Sequence, residues 1–107
     1  MKKRHFILAK CYDKRGKLLS VGFNSYTKSH PLMKELAKEV GHPDQIYLHA
    51  EISAILRAKD HTIHRITIER YNARGLPAPA APCPICQRAI KMFGIKVVDY
   101  TDTDKSV

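Results

Sequence analysis

The sequence predicts an α/β fold: a mixed β-sheet that begins with an antiparallel hairpin and is flanked by helices. Three observations predict it. Two apolar segments near the N-terminus are separated by a short polar turn. Beyond them, helix-patterned segments alternate with strand-patterned ones. The chain has 107 residues, 44% of them hydrophobic, which suits one domain with a small core, so residues 1–107 are read as a single domain.

Each element has its own signal. His5 to Tyr12 reads as a strand, with Phe6 and Leu8 on one face and Ile7, Ala9 and Cys11 on the other. Asp13-Lys14-Arg15-Gly16 is a polar turn, and Lys17 to Asn24, carrying Leu18, Leu19, Val21 and Phe23, returns as the second strand of a hairpin. His30-Pro31 opens a short helix through Val40, proline being tolerated in a first turn, and Gly41-His42-Pro43 stops it. Leu48 to Lys59 is the clearest helix: Ile52, Ile55, Leu56 and Lys59 follow helical spacing, and Ala50, Ala54 and Ala58 raise propensity. Thr62 to Tyr71 reads as a strand with Ile66 and Ile68 on one face, and residues 72–82 as a Pro- and Ala-rich loop. Pro84 to Phe93 is a helix stopped by Gly94, Ile95 to Tyr100 the last strand, and Thr101 to Val107 a polar tail. Helices between the last strands imply crossover connections and parallel pairing there.

Composition narrows the setting. The formal net charge is +9, from 19 Lys+Arg against 10 Asp+Glu. That suits an anionic partner, a nucleotide phosphate or a nucleic acid backbone, and also suits a basic surface that merely aids solubility. The basic residues are scattered, Lys2-Lys3-Arg4 being the densest cluster. Three cysteines, with no apolar stretch after Met1 long enough for a signal or a membrane span, point to a reducing cytoplasm. There a Cys-x-x-Cys serves a metal or redox chemistry rather than a structural disulfide.

Two short motifs carry the chemistry: His49-Ala50-Glu51 and Pro82-Cys83-Pro84-Ile85-Cys86. Both fall at expected helix starts, where free backbone amides and the positive dipole end favour thiolates. One imidazole and two thiolates can hold a zinc ion and leave its fourth position to water, whose pKa falls toward about 7 in such sites. Glu51, two residues on, cannot share the helical face of His49, but in a first turn it can still point into the cavity beyond the helix end, there to take a proton from that water and pass it to a leaving group. A structural zinc would need a fourth protein ligand, for which Cys11, His42 and His61 are available but without motif spacing. A redox Cys-x-x-Cys would leave His49 and Glu51 without a role.

Taken together and in order, these residues resemble the signature of the zinc-dependent cytidine and deoxycytidylate deaminase superfamily, over most of the chain. The resemblance implies a mixed sheet flanked by helices, zinc held by His49, Cys83 and Cys86, and Glu51 as the proton shuttle. It implies attack on the amine-bearing ring carbon of a nucleobase with release of ammonia, most plainly cytosine to uracil in a nucleoside or nucleotide. It further implies that Asn24, in Gly22-Phe23-Asn24, contacts the sugar and that the Ala50 backbone amide meets the ring carbonyl. For Asn24 the alternative is a turn residue that ends a strand. Histidine as the first ligand is similar to the deoxycytidylate, tRNA-adenosine and polynucleotide branches. Compared with many members, a helix before the first strand and a further helix and strand after the last are absent. The surface left uncovered leads us to expect a homo-oligomer.

Three functions follow from this reading: deamination of a free nucleotide, deamination of a base within single-stranded or flipped-out DNA or RNA, and a non-catalytic zinc module used for binding. The third has no use for Glu51. Against the second, no basic stripe with interleaved aromatics is present. Tyr26, Tyr47, Tyr71 and Tyr100 could stack on a base or sit half-buried, His30 and His42 could line the site or be solvated, and Arg70, Asn72 and Arg74 could reach a phosphate or be solvated.

Overall fold

The computed structural model describes residues 6–41, 48–59 and 61–101. His5, the Lys2-Lys3-Arg4 cluster, His42, Pro43, Tyr47 and all of the polar tail beyond Thr101 lie outside the described residues. The elements are β1 (Phe6–Tyr12), β2 (Leu18–Phe23), α1 (Pro31–Glu39), α2 (Ala50–Arg57), β3 (Arg65–Tyr71), β4 (Pro77–Ala78), α3 (Pro84–Met92) and β5 (Val97–Tyr100).

Their ends are set by local chemistry. In the β1–β2 turn, Asp13 Oδ1 accepts the amides of Arg15 and Lys17, each at 2.9 Å, and Gly16 takes the left-handed φ of 86° that the turn demands. His49 stays extended at φ −79° and ψ 154°, so α2 begins at Ala50 rather than at Leu48. Its other end is fixed by Lys59, whose φ of 54° breaks the helix. His30 caps α1: its Nδ1 accepts the Leu32 amide at 3.0 Å, beside Pro31.

The expectation of a plain loop over residues 72–82 is corrected. Asn72 Oδ1 accepts the amides of Arg74 (2.8 Å) and Leu76 (3.1 Å), and Gly75 turns at φ 79°. This folds the segment back as β4 against the end of β3.

The sheet runs β2-β1-β3-β4, with β5 also on β3. β1 pairs antiparallel with β2 and β3, and β4 pairs antiparallel with Arg70 and Tyr71. β5 lies parallel to Arg65–Ile68, further along the same edge, as the crossover through α3 requires. The sheet is therefore mixed, as expected.

Alternation sorts the faces. Ala9, Cys11, Ile66 and Ile68 are buried and join Met33, Leu36, Ile52, Ile55 and Ile85 of the three helices in one core. The opposite face carries the Lys10–Glu69 ion pair at 3.9 Å, the Arg65–Asp99 pair at 3.2 Å, and the contact of Phe6 with Phe23, ring centres 5.4 Å apart.

α2 packs onto β1 and β2, and one residue allows it to come so near. A Cβ at Gly22 would lie 2.5 Å from Ala50 O and 2.9 Å from Ala54 Cα, and nearer still to Ala54 N. Ser20 Oγ adds a bond to Ala54 O at 2.6 Å. Gly22→Ala will therefore push α2 off the sheet. The expected cost is about 3 kcal/mol, seen as a fall in Tm of roughly 10–20 °C by calorimetry. An unchanged Tm would show that the helix does not need this approach.

Candidate metal centre

The sequence brings two helix N-termini to one place. Leu48, just before α2, is held from both sides: its amide donates to Lys28 O and its carbonyl accepts the Ser25 amide, both at 2.8 Å. Ser25 Oγ in turn accepts the amides of Thr27 (3.1 Å) and Lys28 (2.8 Å). His49 is thereby fixed as the N-cap of α2; Cys83, followed by Pro84, is the N-cap of α3. Neither N-cap side chain bonds its own helix. Both cap positions, which ordinarily satisfy orphan amides, are given over to other chemistry.

His49 Nδ1 stands 3.3 Å from Cys86 Sγ and 3.4 Å from Cys83 Sγ. The three ligand atoms all lie within 4.8 Å of one another. Zinc–nitrogen and zinc–sulfur bonds of about 2.1 and 2.3 Å at tetrahedral angles set N and S about 3.5 Å apart, so the donor set fits zinc. Among the described residues this close group numbers three, and neither Cys11 nor His61 joins it. Cys11 is a fully buried core residue opposite Ser20.

The electrostatics are those of a site that wants a cation. A hydrogen bond from Cys86, aided by His49, outweighs burial and lowers the Cys83 thiol to about 4. Cys86 moves the other way, well above the ordinary thiol value, through its bond to Cys83 and its burial. The two sulfurs are thus coupled, Cys83 being the more readily ionised. Burial would lower His49, but the Cys83 hydrogen bond and the charges of Cys83 and Glu51 raise it on balance. Metal binding displaces such protons, because the ligand forms are thiolate and neutral imidazole.

Glu51 is the second residue of α2 and only 5% exposed. Burial raises its carboxyl above the ordinary range, against the pull of a hydrogen bond with Cys86 and the charge of His49. A carboxyl poised this way can hold or release a proton beside the three donors.

The other sequence candidates are placed as follows. Ala50, buried, is the first helical residue between His49 and Glu51. Asn24 follows β2 directly before Ser25; its amide donates to Ile7 O at 3.2 Å and its Oδ1 accepts the Ile7 amide at 2.9 Å. It thus closes the strand pairing beside the clamp on Leu48. His30 is a helix cap and Asn72 a turn former, while Arg74 is exposed. Tyr71 donates to Glu69 at 2.6 Å on the face away from the helices. Tyr26 and Tyr100 are exposed at 42% and 44%.

One positioning residue, Gly22, escaped the sequence reading. Its signal was a glycine inside an otherwise apolar strand, which marks close approach of another backbone.

The thiols differ enough to be told apart chemically. Burial raises Cys11 to about 11 and leaves it 0% exposed, whereas Cys83 is half-buried. In metal-stripped folded protein at neutral pH, iodoacetamide will label Cys83 and spare Cys11, as peptide mass mapping will show. Labelling of Cys11 before unfolding would contradict the packing described here.

A family model for the cytidine and deoxycytidylate deaminase zinc-binding region matches residues 2–101. Among solved structures, the chain is similar to a mutant cytidine deaminase from Mycobacterium tuberculosis. The identity is 16% and the TM-score 0.51, over 90% of this chain and 67% of that one. At that identity the likeness shows the fold. No curated protein matches.

Proposed function

Since the chain belongs to the cytidine and deoxycytidylate deaminase family, with a zinc-binding His/Cys/Cys group, we propose that it is a hydrolytic deaminase of cytosine in a nucleoside or nucleotide, most plainly deoxycytidylate. The observation that carries this reading is Glu51, only 5% exposed in the first turn of α2 and two residues from His49 of the donor group. A zinc module used only for binding has no need of a buried carboxyl there.

In this reading His49, Cys83 and Cys86 hold the zinc ion. Bound there, zinc supplies a Lewis acid that makes a water nucleophilic near neutral pH. The chain's own residues do the rest. Water adds to the amine-bearing ring carbon across its C=N bond, and one proton passes through Glu51 to the ring nitrogen. Glu51 then carries the remaining hydroxyl proton to the exocyclic nitrogen, the C–N bond breaks, and ammonia leaves as the ring carbonyl forms. The Ala50 amide, at the open end of α2, donates to the ring carbonyl, and Asn24 contacts the sugar.

Residues 1–107 act as one domain, in the cytoplasm and as a homo-oligomer. Among the described residues no helix is long and apolar enough to cross a membrane. The net charge of +9 favours a second reading, in which the base is presented within single-stranded or flipped-out nucleic acid.

A panel of free bases, nucleosides, nucleotides and oligonucleotides, scored by mass for the amino-to-oxo change, separates the two. Conversion of cytosine mononucleotides supports the first, conversion of oligonucleotides alone supports the second, and conversion of none overturns both.

A further inference from the structure

One charged side chain on the helix-covered side of the sheet, that of Arg70, has a buried donor without a hydrogen-bond partner among the described residues. Arg70 is in register with Ile7 on one side and Ala78 on the other. Directly opposed residues share a face, and Ile7 packs on the core, so Arg70 continues the inward row of Ile66 and Ile68. Its Nε is buried without a hydrogen-bond partner. The adjacent acid cannot serve it: Glu69 points to the other face, bonded to Tyr71 at 2.6 Å and facing Lys10 at 3.9 Å. A buried guanidinium donor left unpaired costs free energy and calls for an explanation.

Its place in the fold supplies one. Ile7 is joined through its amide and carbonyl to Asn24, the neighbour of Ser25, which holds Leu48 next to His49. On the other side, Ala78 leads within five residues to Cys83. The row Asn24, Ile7, Arg70, Ala78 thus crosses the end of the sheet between the strand clamped to the start of α2 and the segment that enters α3. Asn24 and Arg70 stand two strand spacings apart, about 10 Å, a span that the sugar and phosphate of a nucleotide can bridge.

We propose that Arg70 is the residue of this site that recognises a phosphate group on the substrate, so that the protein acts on phosphorylated cytosine substrates in preference to the nucleoside. The proposal rests on the deaminase reading for the identity of the substrate, but not for the anion site itself. The planar guanidinium meets phosphate with two parallel N–H donors, which a lysine cannot reproduce.

Two measurements on the zinc-loaded full chain test it. In the first, kcat/KM is compared for deoxycytidine, its 5′-monophosphate and a short single strand, in the wild type, Arg70→Ala and Arg70→Lys. Arg70→Ala should lose roughly 10²-fold on the monophosphate and stay within about threefold on the nucleoside, with partial recovery in Arg70→Lys. A matching loss on the single strand identifies a phosphodiester as a second source of the anion, and an unchanged rate there restricts it to the free nucleotide. Equal losses on nucleoside and monophosphate, or none on either, overturn the proposal.

The second measurement needs no turnover: the Arg70 Nε–H resonance is followed by NMR in the wild type while inorganic phosphate is added. A saturable shift supports the anion site even if no substrate is converted, in which case only the deaminase reading fails. A resonance unmoved by phosphate overturns the proposal even if deamination is found.

Discussion

Glu51→Gln will abolish turnover without releasing zinc. The amide keeps the size of the carboxyl and stays a hydrogen-bonding neighbour of Cys86, but it cannot accept a proton from water or carry one to a leaving amine. General acid–base groups contribute roughly 10²–10⁴-fold each. Glu51 is asked to act twice in one cycle, so the loss should lie toward the top of that range. Because the closely grouped donors are His49, Cys83 and Cys86, zinc content measured by atomic absorption should stay at that of the wild type. A variant that retains both zinc and full activity would remove Glu51 from the mechanism. A variant that loses zinc as well would make the carboxyl part of the metal's support.

Cys83→Ala will strip the metal. A full ligand set of a structural zinc contributes about 10–16 kcal/mol of apparent binding free energy, so each ligand carries roughly 3–4 kcal/mol. Zinc affinity, measured by competition with a chelating dye, should fall roughly 10²–10³-fold. Cys11→Ala is the informative control. Cys11 lies in the core, outside the donor group, so this variant should bind zinc as tightly as the wild type, although it loses some stability through the vacated volume. Zinc lost on removal of Cys11 would instead indicate a closed, four-ligand structural site and would count against catalysis.

Much of this was legible in the sequence because its signals were local. The donor spacing of Cys83 and Cys86, the cap positions of His49 and Cys83, and the alternation of Ile66 and Ile68 all act within a few residues. Even so, a local signal can be read once and missed when it recurs. Asp13-Lys14-Arg15-Gly16 reads plainly as a turn, and Asn72-Ala73-Arg74-Gly75 has the same form and makes the same side-chain bonds to the amides two and four residues on. The prolines and alanines after it obscured the short strand β4.

What the sequence could not show was non-local. Gly22 matters because of backbone atoms of α2 nearly thirty residues on. Arg70 matters because the register with β1 and β4 turns a charged side chain to the helix-covered face. His30 is the local exception: a histidine has two possible roles in a loop before a helix, and its bond to the Leu32 amide makes it a cap.

Zinc-dependent deamination is tested by ammonia release from deoxycytidine 5′-monophosphate by protein stripped of metal and then titrated with zinc. Stripped protein will release none, and release will recover in proportion to zinc up to one equivalent per chain. Release that survives stripping, or zinc-replete protein that frees no ammonia from this or any other cytosine substrate, would contradict it.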